Sequence, residues 1–106
     1  MLALRSHPLV RADLREAFEW YEDQQTGLGL EFAAEFRRCY RRLRRGPLLH
    51  SVRFADVRRM NLDCFPYGVF YVVKPGELRV LAVLHASRDT WPALAQRRRS
   101  FTAENK

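Results

Sequence analysis

His85 is the residue of this chain best suited to acid–base chemistry, because an imidazole exchanges its proton near neutral pH. With Arg59 and Arg88 it forms a candidate catalytic set, in which the histidine would move a proton while the guanidinium groups hold a phosphate. The structural alternative is that His85 binds a backbone turn and that Arg88 pairs with Asp89. No carboxylate is placed as a convincing general base beside His85, so the structural alternative is favoured.

Arginines dominate the middle of the chain. Residues 37–59 contain nine arginines and one acidic residue, a net charge of +8, whereas residues 1–36 carry −4 and all 106 residues carry +7. A solvated helix face normally mixes both signs of charge, and residues 37–45 contain no acid to neutralise their arginines at the i+4 spacing. The pattern favours a surface that binds phosphate or an acidic protein over a merely solvated face.

The rest of the composition excludes several classes of protein. Two cysteines do not make a disulfide framework, and the histidines and cysteines lack the spacing of a zinc site, so we expect neither a metal nor a cofactor. The motifs of nucleotide-binding loops and nucleophile elbows are absent, and we expect no small-molecule substrate. No apolar run is long enough to span a membrane, and residues 1–8 lack a signal-peptide layout, which predicts a cytoplasmic location.

Helical periodicity predicts two neighbouring helices that would present the arginines. Apolar residues recur on one arc over residues 9–25 and again over residues 28–45, and the arginines of the second segment occupy the complementary arc. Both apolar stripes need a partner, and the short Thr-Gly-Leu-Gly link makes the two helices antiparallel neighbours.

The remainder of the chain predicts a small sheet. β-branched and aromatic residues between turn signals predict four strands, over residues 2–5, 57–63, 67–74 and 78–86. We expect a short helix over residues 93–100 and fraying over residues 100–106. The prediction is one α+β domain over residues 1–106, a two-layer sandwich of order β-α-α-β-β-β, in which the helical hairpin packs on a small, twisted, mainly antiparallel sheet.

Three segments of the sequence resemble a known family. WYE at residues 20–22, followed by GLG at 27–29 and by Phe32, resembles the helical hairpin of the RelE/ParE toxins of bacterial type II toxin–antitoxin modules. FPYGVFY at residues 65–71 resembles their middle-strand signature, and VLHASRD at 83–89 resembles their last-strand signature. The segments occur in order at the family's spacing, and the resemblance covers nearly the whole chain.

The resemblance implies a small basic toxin, associated with plasmid stabilisation, that a cognate antitoxin silences by wrapping an acidic, amphipathic C-terminal segment around it. One fold carries two activities in this family. RelE-like toxins cleave mRNA in the ribosome, whereas ParE-like toxins poison DNA gyrase and lack the nuclease cluster. The GLG link resembles the ParE-like branch, and Trp91 follows the last strand where RelE-like chains often carry a catalytic tyrosine.

The resemblance therefore favours a gyrase poison that is not itself an enzyme. The histidine of the last strand is common to both branches and does not discriminate between them. A ribosome-dependent mRNA endoribonuclease using His85, Arg59 and Arg88 stays open as the alternative. A decayed module member that only binds its antitoxin is a third possibility.

The charge pattern and the resemblance together predict two contact surfaces. Because antitoxin tails are acidic, the +8 segment is their electrostatic complement, and Trp20 lies off the buried stripe of its helix as an apolar anchor. The residues expected to bind the antitoxin are Arg37, Arg38, Arg41, Arg42, Arg45 and Trp20. The residues expected to contact the target are Arg58, Arg59, Arg97 and Arg98. The alternative is that the first two protect a strand edge and that the last two belong to a solvated tail.

Overall fold

A five-stranded sheet lies at the centre of the molecule, and helices pack on both of its faces. The computed structural model describes residues 2–87 and 90–104. In chain order the elements are β1 (Ala3–Ser6), α1 (Val10–Gln24), α2 (Leu28–Arg45), a 3₁₀ turn (Pro47–Leu49), β2 (Val52–Phe54), β3 (Val57–Asn61), β4 (Tyr67–Lys74), β5 (Glu77–His85) and α3 (Trp91–Glu104). The spatial order of strands is β1-β5-β4-β3-β2, with β1 parallel to β5 and every other pair antiparallel.

The helical hairpin is closed by two glycines and one glutamate. Gly27 starts α2 with φ at +92°, a left-handed backbone that favours glycine. The Glu22 carboxylate accepts the backbone N–H groups of Gly27 at 2.8 Å and Gly29 at 3.0 Å, which satisfies donors left free at a helix N-terminus. A Cβ atom on Gly29 would lie 2.7 Å from the Phe18 carbonyl oxygen, so glycine is needed for the close crossing of α1 and α2.

The first core lies between the hairpin and the sheet, and it contains most residues of the predicted apolar stripes. Its aromatic centre joins Tyr21 of α1, Phe32 of α2 and Phe65 of the loop before β4. The Tyr21 and Phe32 rings stack at 5.6 Å, and the Phe65 ring meets them edge-on at 4.8 and 5.3 Å. The aromatic residues of the hairpin and middle-strand segments are therefore one packed cluster, which gives their joint occurrence a physical reason.

Helix α3 adds a third layer to the predicted two. Leu94 and Phe101 lie seven residues apart on one face of α3 and are buried, 0% and 2% exposed, against the second face of the sheet. This burial extends the helix to Glu104, four residues beyond the predicted end. Residues 105 and 106, also predicted to fray, lie outside the described residues. The short strand β2 was not predicted. Within the described chain, no helix is both long and apolar enough to cross a membrane.

A buried ion pair joins the outer layers across the edge of β5. Strand β1 follows β5 only as far as Val80, which accepts the last backbone bond from the turn before α1. Beyond that point Asp13 Oδ2 accepts the backbone N–H of Val83 at 3.0 Å, and Arg97 Nη1 donates to the carbonyl of Leu81 at 3.2 Å. The two side chains also bind each other in bidentate fashion, at 2.5 and 3.0 Å. We call this pair the β5 clamp.

Replacing Asp13 by alanine should strongly destabilise the fold, because Asp13 and Arg97 are 7% and 12% exposed and the lone guanidinium would stay buried. We expect the free energy of unfolding, measured in urea at neutral pH, to fall by about 3 kcal/mol. Asp23, exposed on the same helix, is the matched control, and Asp23→Ala should stay within about 0.5 kcal/mol of wild type. Equal stability of the two variants would contradict a structural role for the β5 clamp.

Candidate functional site

The predicted arginines of α2 form one basic surface, which we call the arginine face. Its exposed members are Arg37, Arg38, Arg41, Arg42 and Arg45. Among these and the other described residues, only Arg42 of the face pairs with a carboxylate, at 3.1 Å from Asp63, and it also lies 3.2 Å from the Cys39 sulfur. The sulfur and the carboxylate raise the pKa of Arg42. The other four arginines remain available to an anion from outside.

An apolar groove runs along the outer side of the hairpin beside the arginine face. Its apolar lining is Leu14, Phe18, Phe32, Ala33 and Phe36. The groove has a volume of about 410 Å³, and its borders carry Arg11 from α1 and Arg37 from α2. A pocket of about 580 Å³ that shares Arg11 continues it toward Tyr40. An apolar floor with basic borders fits an amphipathic helix that has an acidic flank.

Trp20 lies in a different place from the arginine face. Its side chain is 56% exposed and does not line the groove. It lines instead a cleft of about 260 Å³ together with Glu16, Tyr67, His85 and Ser87. The prediction placed Trp20 with the arginines as an antitoxin anchor, whereas the structure brings it together with His85.

The candidate catalytic residues His85 and Arg59 lie on opposite faces of the sheet. His85 pairs with Tyr67, and their rings meet edge to face at 5.2 Å on the face that the hairpin covers. Arg59 pairs with Phe70, and its guanidinium lies over that ring at 5.3 Å on the face that carries α3. The third member, Arg88, lies outside the described residues. The structure therefore does not bring His85 and Arg59 together.

All four predicted target contacts have partners inside the molecule, and those of Arg59 are Asn61 and the Phe70 ring. Arg58 donates to a backbone carbonyl at 2.6 Å. Arg98 binds Asp56 at 2.7 Å, and Lys74 binds the same carboxylate at 2.9 Å, so these cations lower the pKa of Asp56 to about 2. Arg97, predicted as a target contact with a solvated tail as the alternative, is instead 12% exposed and belongs to the β5 clamp.

The apolar groove was not predicted from the sequence, because its residues were assigned to the buried stripes of the helices. In the structure Leu14 and Phe18 stay half-buried. A signal was present in the helical spacing, since Arg11, Leu14 and Phe18 follow one another at intervals of three and four residues and so share one face of α1. The roles of Glu16 and Ser87 beside His85 carried no comparable signal.

Comparisons with known proteins agree with this architecture. The family model described as "ParE toxin of type II toxin-antitoxin system, parDE" matches residues 4–90. A solved structure described as the chromosomal ParDE TA system from P. aeruginosa contains a similar chain, with a TM-score of 0.66 and 16% identity, covering 80% of this chain and 96% of that one. At this identity the likeness shows a shared fold. A search of curated proteins gave no match.

The family match contains the features that organise the site. It spans the capped helical hairpin, the arginine face and all the strands from within β1 to the end of β5, and it stops before α3. The three segments that resemble the family in sequence are thus the same segments that meet in the folded molecule, in the hairpin crossing, the aromatic cluster and the His85 cleft. The chain belongs to the ParE toxin family of type II toxin–antitoxin systems.

Proposed function

We propose that this toxin poisons DNA gyrase and that a cognate antitoxin holds it inactive in the cytoplasm. Family membership supports the toxin role, and the separation of His85 from Arg59 across the sheet is the observation that favours gyrase over mRNA. Cleavage of RNA to a 2′,3′-cyclic end needs a base, an acid and phosphate-binding cations at one scissile bond. Groups on opposite faces of a sheet cannot act on the same bond.

The hydrogen bonds of His85 also argue against a general base. The backbone N–H of Ser87 donates to His85 Nδ1 at 3.0 Å, and the Ser87 hydroxyl lies 2.7 Å from the same atom. A ring nitrogen that accepts an N–H bond carries no proton, so the neutral imidazole carries its proton on Nε2. Nε2 is then a donor, and neutral His85 has no unoccupied nitrogen to receive a proton from a ribose hydroxyl.

The groove and the arginine face support recognition of an acidic, amphipathic antitoxin segment. Apolar anchors in the groove between Leu14 and Phe36 would supply affinity, and acidic side chains along one flank would meet the unneutralised arginines. The arrangement suits a helix whose apolar residues recur at three- and four-residue intervals. The proposed contacts with gyrase are Arg58, Arg59 and Arg98. Arg97 is left out because it is buried in the β5 clamp.

The choice of target can be tested by brief expression of the toxin. We expect gyrase supercoiling to fall and linear DNA to accumulate, while mRNA on ribosomes stays intact. His85→Ala should remain fully toxic, because the imidazole is not required for a gyrase poison. Co-expression with the antitoxin is the control and should restore supercoiling. Cleaved mRNA with normal supercoiling would overturn the proposed target, and loss of toxicity in a folded His85→Ala variant would favour the endoribonuclease.

The protonation site of His85 can be read directly by ¹⁵N NMR. In the neutral form of the ring, long-range ¹H–¹⁵N spectra should show His85 as the Nε2–H tautomer, because Nδ1 accepts the Ser87 N–H bond. His50, half-buried in the bend after the 3₁₀ turn and with no such bond to its ring in the described part of the chain, provides the comparison within one spectrum. An Nδ1–H tautomer at His85 would remove this argument against a base.

The antitoxin surface can be tested by charge reversal. Arg41→Glu is expected to weaken antitoxin binding about tenfold at low salt and to flatten its salt dependence, because Arg41 lies exposed on the arginine face. Arg99→Glu makes the same charge change at an exposed position on α3 and should have a much smaller effect. Equal losses would show that only the net charge matters, and calorimetry of the purified pair measures both.

A further inference from the structure

Arg59 is held flat against the sheet by its neighbours. Its Nε donates to Asn61 Oδ1 at 2.7 Å, and its guanidinium carbon lies 5.3 Å from the centre of the Phe70 ring. The side chain also crosses Gly68 of β4, where a Cβ atom would lie 2.6 Å from Arg59 Nε. Glycine at position 68 therefore leaves the path open, while the amide and the ring fix the orientation of the guanidinium.

The outer edge of this guanidinium is unoccupied. Neither Nη atom of Arg59 has an acceptor among residues 2–87 and 90–104. Arg53, the extra residue where the register of β2 shifts against β3, is exposed and likewise unpaired within those residues. Burial and the nearby charge of Arg53 lower the pKa of Arg59, as expected for two cations with no anion between them.

The acidic residue closest in sequence does not neutralise this pair. Asp56 lies in the turn between β2 and β3, but its carboxylate is shared by Lys74 at 2.9 Å and Arg98 at 2.7 Å. Two cations on one carboxylate leave that cluster with a positive charge of its own. An anion that meets Arg53 and Arg59 must therefore come from outside the described chain.

A guanidinium with one edge fixed and the other edge open can bind a phosphate or a carboxylate through two parallel hydrogen bonds. The surroundings favour phosphate, because a protein partner draws affinity from apolar anchors and the described side chains around Arg59 and Arg53 offer none. Phe70 is 3% exposed, and Val52, an exposed apolar residue of β2, pairs with Arg58 on the other face of the sheet. Phosphate contacts need only fixed, charged donors.

We propose that Arg59 is a preorganised site for the phosphodiester backbone of a nucleic-acid strand, with Asn61 and Gly68 as positioning residues and the exposed Arg53 as a second cation. The inference does not depend on gyrase being the target, since it concerns direct contact between the toxin and nucleic acid. It leaves open which nucleic acid supplies the phosphodiester, because DNA and RNA share this chemistry.

Fluorescence anisotropy with the purified toxin tests the site, using a short labelled DNA duplex and a single-stranded RNA in a series of salt concentrations. Arg59→Gln should weaken duplex binding about fivefold to tenfold and reduce the slope of log K against log salt by about 0.9. Arg15→Gln removes the same charge from an exposed position on α1, on the other side of the sheet, and should change affinity by less than about twofold. Tighter binding of one probe identifies the source of the phosphodiester, and either preference supports the site.

Gly68→Ala separates position from charge, because it keeps the net charge of +7 and displaces only the guanidinium. We expect it to lose affinity like Arg59→Gln while its circular dichroism and antitoxin binding stay at wild-type values. Equal binding by Arg59→Gln and Arg15→Gln would overturn the site. The site would also be overturned if a polyglutamate peptide of the same charge bound more tightly than either probe and displaced both of them. Gyrase poisoning that persists in Arg59→Gln would place the gyrase contact elsewhere and leave the nucleic-acid site standing.

Discussion

The β5 clamp is the interaction on which the layered structure depends. Where β1 ends, the edge of β5 would present unpaired backbone groups, and an open strand edge is a hazard for aggregation. Asp13 from the hairpin layer and Arg97 from the α3 layer close that edge and bind each other at the same time. A hydrogen bond of 2.9 Å between the buried His7 and Ser100 repeats the link nearby. The same few side chains thus close the edge of β5 and hold the helical layers together.

Three acidic residues of the hairpin stabilise the fold and do not neutralise the arginine face. Asp13 is held in the clamp, and Glu22 caps the start of α2. Glu35, only 3% exposed, accepts the backbone N–H of Cys64 at 2.9 Å and ties α2 to the loop before β4. These carboxylates bind backbone donors and one buried guanidinium, so they do not pair with the arginine face. The separation of negative and positive charge along the sequence is therefore kept in the folded molecule.

Local patterns predicted the hairpin and the long strands well, because each of these elements has a clear period. The bounds of α2 were predicted as found, and the ends of α1, β4 and β5 fall within about one or two residues of the prediction. The third layer was missed because Leu94 and Phe101 are the buried residues among the described side chains of α3, and three consecutive arginines lie between them. Strand periodicity predicts that Arg58 and Arg59 point to opposite faces of the sheet, but it does not predict which face each one takes. Nor can periodicity predict that Asp13 pairs with a residue 84 positions away.

The pairing of β1 with β5 has a consequence for how the toxin folds during translation. Ala3 pairs with Glu77, so the first strand has no partner in the sheet until most of the chain has been made. A ribosome adds about 5–20 residues per second, and the hairpin emerges well before β5 and Arg97. The nascent chain therefore exposes the apolar side of its hairpin for seconds before the sheet can cover it. The antitoxin proposed above, once present, would meet the chain in that interval, before the toxin is complete.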